Sequence, residues 1–301
     1  MQQNYSERPT INYDRIFSPY KIGMFDQCPQ NYFLSYVNPI TKGEKNKLKK
    51  LFNNIFSFQT LGKAVHSAIT LFYYLPIENR NLKNLKLQLQ KTWISEAMKN
   101  KKMPLGEWGG FESIEVERDS YRVALMMLEN FFRMRPQSEV FEFLPSEKFL
   151  SLDDYHNLIT PLTDEFDISG KFDLVLRNPD GTLEIIDFKT GKKDEIKEFQ
   201  MVFYKLLAEL KFGQPVSKLS LYFLRSGRKV EIACKDEIEP LKTKITNIIQ
   251  AIKDSKEFPT KPDRLCRYCI FRNQCPDKEN VRKIINEGKF SEDNISDDLP
   301  F

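Results

Sequence analysis

The stretch GKFDLVLRNPDGTLEIIDFKTGK, residues 170–192, decides how this chain is read. Its two apolar runs are separated by Pro179-Asp180-Gly181, a turn tripeptide that can fold the second run back beside the first. Asp173 falls on the first predicted strand, and Asp187 and Lys189 on the second. Strand residues two apart share a face, so Asp187 and Lys189 project together while Phe188 turns to a buried side. The fold-back brings Asp173 close to that face. Two carboxylates and an ammonium on one strand face suit a hard divalent cation and an anionic substrate.

Outward from this hairpin, strand-like runs cover about 140–151, 164–177, 182–189, 217–225 and 228–234. The last two read as a hairpin through Ser226-Gly227. Helical patterns cover about 194–212 and 236–254. Before residue 140 the texture is helical: 18–37, 58–75, 82–100 and 119–135. Ser18 is the expected N-cap of the first helix, with Pro19 at its first position. A basic loop, with Lys42, Lys45, Lys47, Lys49 and Lys50, is expected after it, and a second lysine cluster sits at Lys99, Lys101 and Lys102. A Pro- and Cys-rich segment at 259–276 and a short helix at 277–288 end the pattern. The expected organisation is a loose arm (1–17), a single domain (18–276) and a short helix with an acidic tail (277–301). Within the domain, 18–136 is helical, 137–258 is the α/β core and 259–276 carries the cysteines.

The 301 residues suffice for a sizeable core, and 41% hydrophobic with 29% charged residues is ordinary for a soluble globular chain. A net charge of +4 permits nucleic-acid binding without demanding it. There is no run of 18 apolar residues and no signal-peptide core, so a cytoplasmic protein without a membrane span is expected.

Cys266, Cys269 and Cys275 have the spacing C-x2-C-x5-C, which in an intracellular chain favours a metal site over disulfides. Three thiolates are one short of a four-thiolate site. Cys28, in a Cys-Pro pair like Cys275-Pro276, is the chosen fourth ligand, and Cys234 reads as a small buried thiol at a strand end. The spacing leaves zinc and iron–sulfur both open. Either would staple the beginning of the chain to its end.

Together these residues resemble the RecB-type branch of the PD-(D/E)xK nuclease superfamily that carries an iron–sulfur cluster, the branch of the AddB nuclease domain, the CRISPR-adaptation nucleases and exonuclease V. The resemblance runs from Ser18 to Pro276, with five matches in order: SPYKIGMFDQCPQNYFLSYV with Cys28, LGKAVHSAI with His66, GKFDLV with Asp173, IIDFKTGK with Asp187 and Lys189, and QMVFYKLLAE with Gln200 and Tyr204. The cysteine trio closes the pattern. The resemblance implies an α/β, restriction-endonuclease-like mixed central sheet flanked by helices, with an N-terminal helical region and a C-terminal cysteine module. It implies Mg2+ or Mn2+ at Asp173 and Asp187, with His66 as a further ligand, and a [4Fe–4S] cluster on Cys28, Cys266, Cys269 and Cys275. Lys189 would orient the attacking water or the scissile phosphate, and Gln200 and Tyr204, one helical turn apart, would fix the lysine or the strand.

The expected activity is metal-dependent hydrolysis of DNA, as single strands or ends, in repair, recombination or CRISPR adaptation. The rivals are a DNA-binding scaffold subunit of a helicase–nuclease or repair complex, and a zinc-stapled interaction module. Glu147 in PSEKFL is a candidate additional carboxylate, and His156 receives no role. The C-terminus, Asp297-Asp298-Leu299-Pro300-Phe301, resembles the acidic tip of bacterial single-stranded-DNA-binding proteins and is a candidate contact for a DNA-repair partner.

Overall fold

A computed structural model describes residues 12–52, 56–97, 109–135, 142–143, 158–233 and 236–287. Glu147, His156, Cys234, the Lys99 cluster and the acidic tip lie outside the described residues.

The hairpin expected from the 170–192 stretch is present. Strand β5 (Leu174–Arg177) pairs antiparallel with β6 (Leu183–Lys189), with Leu174 opposite Ile186 and Arg177 opposite Leu183. The turn between them uses Gly181 at φ 84°, a conformation glycine adopts without a Cβ penalty. β6 is also paired parallel to β7 (Val216–Phe223), and β7 continues antiparallel to β8 (Arg228–Ile232). The two-residue β2 (Glu142–Phe143) extends the far edge, giving a mixed sheet in the order β2-β5-β6-β7-β8.

Every residue of β6 is buried, which is what a central strand covered on both faces requires. Leu183 and Ile185 join the core built on α7 (Glu198–Phe212) and α8 (Ile238–Asp254). Ile186 and Phe188 join a second core on the opposite face, with residues of α4 (Ser57–Tyr73), α5 (Leu82–Ala97) and α6 (Ile114–Met134). Phe188 is 2% exposed and packs edge-on against Phe131 and Tyr222, at 5.4 and 6.0 Å between ring centres.

Three local expectations change. The continuous strand over 164–177 is two strands in two sheets. β4 (Asp167–Gly170) pairs with β3 (Leu158–Pro161) and with β1 (Ile16–Phe17) in a small three-stranded sheet, and the chain then bends through Asp173 into β5. The break follows Gly170, against which α7 packs closely: a Cβ there would stand 2.7 Å from Leu207 Cδ2 and 3.0 Å from Tyr204 Cε1.

The helix over 18–37 is interrupted. Ser18 caps α1 (Pro19–Gln27) by accepting the Lys21 amide at 3.1 Å. Cys28 then turns extended, and Pro29 starts α2 (Pro29–Tyr32), which runs on into a π-type turn over Phe33–Val37. A residue before proline is pushed out of the helical region, so the Cys-Pro pair itself breaks the helix. The basic loop is instead a helix, α3 (Pro39–Phe52). Asn38 Oδ1 accepts the amides of Ile40 and Thr41 at 3.0 and 3.2 Å, and lysine is a good helix former where no packing is needed.

Among the described residues no helix is long and apolar enough to cross a membrane. The cysteine segment adds a 3-10 turn (Arg264–Tyr268) and α9 (Lys278–Glu287).

Candidate active site

The site forms where β6 ends, because its last three residues carry opposite loyalties. Phe188 is drawn into one core, which forces Asp187 and Lys189 to the other face beside α7. Both are buried, with side chains 6% exposed, and Lys189 Nζ lies 3.0 Å from Asp187 Oδ2. Lys189 Nζ also donates to Gln200 Oε1 at 3.0 Å, and Gln200 Nε2 donates to Tyr204 Oη at 3.2 Å. One turn of α7 thus carries a relay from the ammonium to a phenol that is 7% exposed. Tyr204 is held in turn by Phe172, edge-on at 5.2 Å.

Asp173 sits in the bend one residue before β5. Its Oδ2 accepts the Phe188 amide at 2.8 Å, which ties the bend to the end of β6. Its Oδ1 lies 2.9 Å from His66 Nδ1, reaching across to α4. His66 is placed by packing: Val65, Ala68 and Ile69 are buried on the core face of α4, and the imidazole ring meets Phe188 edge-on at 6.1 Å. Burial opposes a charge on both partners, and their mutual attraction outweighs it. The Asp173 carboxyl therefore lies below the usual carboxylate range, and the His66 imidazole above the usual histidine value. The Asp187 charge reaches His66 as well.

The expected catalytic residues Asp173, Asp187, Lys189, Gln200 and Tyr204, with His66, are therefore gathered at one end of the central strand. Two carboxylates and an imidazole nitrogen are the donor types that Mg2+ or Mn2+ accepts. Among the described residues no three His, Cys, Asp or Glu side chains close on a common point as a finished metal site. His66, the Phe188 amide and the Lys189 ammonium supply the positive complement to the carboxylates.

The four expected thiol ligands, Cys28, Cys266, Cys269 and Cys275, are all free and half-buried. They lie near enough to influence one another. Burial first, then the Asp263 carboxylate and the neighbouring thiols, push Cys266 up to about 11; burial and the neighbouring thiols push Cys269 up to about 12; Cys275 is raised by burial and by Cys28. Backbone amides already point at the sulfurs. Asp263 N–H donates to Cys266 Sγ at 3.4 Å, and the amides of Phe271 and Asp277 serve Cys269 and Cys275. Two further links join the ends of the chain beside the thiols: Gln30 N–H to Pro259 O at 3.2 Å, and Lys261 Nζ to Asp26 O at 2.8 Å.

Sequence reasoning passed over Lys63 and Lys171. Both stand inside quoted motifs, LGKAVHSAI and GKFDLV, but as lone exposed lysines they carry no periodic signal.

A mixed sheet with helices on both faces, and an Asp…Asp-x-Lys set at the end of its central strand, define a class: nucleases of the restriction-endonuclease type. The family model of the PD-(D/E)XK nuclease superfamily matches residues 16–276, and the chain belongs to that superfamily of metal-dependent nucleases, whose members use divalent ions such as Mg2+ or Mn2+. No curated protein matches the chain. A solved structure described as "Crystal structure of SSO0001" is similar at 16% identity over 80% of this chain and 98% of that one, with a TM-score of 0.28.

Proposed function

We propose that the protein is a RecB-type deoxyribonuclease that hydrolyses phosphodiester bonds in single-stranded DNA or at DNA ends, acting in repair, recombination or CRISPR adaptation. The observation that carries this reading is the chain of contacts from His66 through Asp173 to the end of β6, and from Asp187 through Lys189 to Gln200 and Tyr204.

In this reading Asp173, Asp187 and His66 hold Mg2+ or Mn2+. The bound ion supplies Lewis acidity, offsetting charge on the phosphate and making water more acidic. Lys189 orients the attacking water or the scissile phosphate. Gln200 accepts from the ammonium and so fixes its direction, and Tyr204 fixes Gln200. Asp187 faces the Lys189 ammonium at 3.0 Å and so holds it on this side of the strand.

We further infer that Cys28, Cys266, Cys269 and Cys275 bind a [4Fe–4S] cluster. Cys28 close enough to act on the other three thiols, with backbone amides directed at those three, supports a thiophilic centre. Its role would be to fasten α1 to the cysteine segment, since four thiolates leave no open coordination position. The acidic tip Asp297-Phe301 is proposed as a contact for a DNA-repair partner.

The test is degradation of end-labelled single- and double-stranded DNA with Mn2+ or Mg2+, against the same protein in chelator and against Asp187→Ala. Degradation that needs the metal and disappears in Asp187→Ala is expected. Equal degradation by parent and variant would remove the assignment of the site, and no degradation by either would favour a DNA-binding scaffold.

A further inference from the structure

The metal face is flanked by positive charge on two sides. Lys189 lies inside, buried against Asp187. Lys63 and Lys171 stand at the rim on the side of His66 and Asp173, and both are exposed. Lys63 precedes His66 by three residues on α4, so the two share one flank of that helix. Lys171 precedes Asp173 by two residues, in the bend between β4 and β5.

The bend is not loose. On one side of Lys171, Gly170 is pressed against Tyr204 and Leu207 of α7. On the other, Phe172 packs on Tyr204, and Asp173 is fastened to the Phe188 amide. The backbone around Lys171 is thus set by the same elements that set the site. Partial burial of the Lys171 ammonium pulls it below the usual lysine range, Asp173 draws it the other way, and Lys63 is near enough to add a weaker repulsion; the charge of Lys171 is felt in turn at both His66 and Asp173. Because His66 and Asp173 meet at 2.9 Å, a lysine three residues before the one and a lysine two residues before the other bring two ammonium groups to the same exposed rim, where a phosphate is attracted.

Resting on the nuclease reading above, we propose that Lys63 and Lys171 form a phosphate subsite that grips a DNA strand one or two phosphodiesters away from the one cleaved. A single phosphodiester at the metal face cannot fill this subsite and a strand can, so the pair favours polymers over mononucleotide esters. Lysine is suited to the task as a point charge, which takes any sequence.

The experiment measures binding of a fluorescent single-stranded DNA oligonucleotide by anisotropy, with Ca2+ in place of Mn2+, across a salt series. Lys63→Gln and Lys171→Gln are each expected to weaken binding roughly 3- to 10-fold and to make the slope of log K against log salt shallower by about 0.7, the value for one phosphate contact on a single strand. In Mn2+, the ratio of kcat/KM for the strand to kcat/KM for thymidine 5′-(p-nitrophenyl phosphate) should fall in both variants, and Lys63→Arg should restore it. Thermal melting of each variant checks the fold. Unchanged affinity and salt slope, or a loss shared equally by strand and single-phosphate ester, would overturn the subsite. A parent protein that neither binds nor cuts either compound would instead overturn the nuclease reading on which it rests.

Discussion

Replacing Lys189 by Met tests the wiring of the site without any assumption about its reaction. The ammonium lies 3.0 Å from a carboxylate, and both side chains are 6% exposed. Methionine keeps the length of the side chain and removes the charge, so a buried carboxylate loses the cation facing it and Gln200 loses its donor. Breaking a buried pair from one side typically costs about 3–5 kcal/mol. At an unfolding entropy near 2.1 cal/mol/K per residue, the 301-residue chain should melt roughly 5–8 °C lower. Adding Asp187→Asn to Lys189→Met should recover most of that loss, because the stranded charge goes with it. Urea or thermal unfolding in chelator, read by circular dichroism, gives both numbers. Saturating Mn2+ should raise the melting temperature of Lys189→Met more than that of the parent, the ion replacing the missing charge. A single variant within ~1 kcal/mol of the parent, or a double variant no better than the single, would refute a buried electrostatic pair as the organiser of this face.

Three other outcomes are expected. Gly170→Ala places a Cβ against Leu207 and the Tyr204 ring, so it should cost about 1–3 kcal/mol by overpacking, and it should lower metal-dependent DNA cleavage by displacing Tyr204 from Gln200. Lys21 is 5% exposed, and burial pulls its ammonium down to about 8 against the pull of Asp14. The unfolded chain then holds more protons on this lysine between pH ~8 and ~10.4, so Lys21 by itself contributes stability that grows with pH across that window, opposite in sign to the raised thiols and tyrosines, which lose stability as the unfolded chain ionises from pH ~8.5 upward. In a pH series of urea melts the stability of the parent minus that of Lys21→Met should therefore grow between pH ~8 and ~10; a difference that stays flat would remove the assignment. Cys28→Ser, purified anaerobically, should lose most of the iron and sulfide and the absorbance near ~400 nm shown by the parent; full retention of both would remove Cys28 from the ligand set.

The central hairpin was legible because its alternation and its turn agree. Phe188 pointing inward makes Asp187 and Lys189 point the other way, and no tertiary information is needed to see it. Gln200 and Tyr204 were legible only through the resemblance of QMVFYKLLAE to a family helix; their spacing of four then placed them on one face. The split of 164–177 was not. Its apolar pattern runs on across Gly170, and only the close approach of α7 shows that the strand must end there. Asn38 and Pro39 could have signalled the start of α3, but a run of lysines with few apolar partners reads as a loop because helix propensity is a weak signal beside periodicity. Cys28-Pro29 was read for its sulfur, and its backbone consequence, an extended residue between two helices, was overlooked. Lys63 and Lys171 matter through proximity alone, which no local pattern encodes.

The contact between Lys261 and Asp26 spans 235 residues of chain. At a ribosomal rate of about 5–20 residues per second, the first helix waits roughly 12–47 s before its partner segment exists. Ile22 and Met24, fully covered in the finished protein, belong to a core shared with α7 and α8, whose residues also follow α1 by well over a hundred positions. The apolar face of the first helix therefore emerges long before the elements that cover it, and slow codons late in the message would lengthen its exposure rather than help it fold.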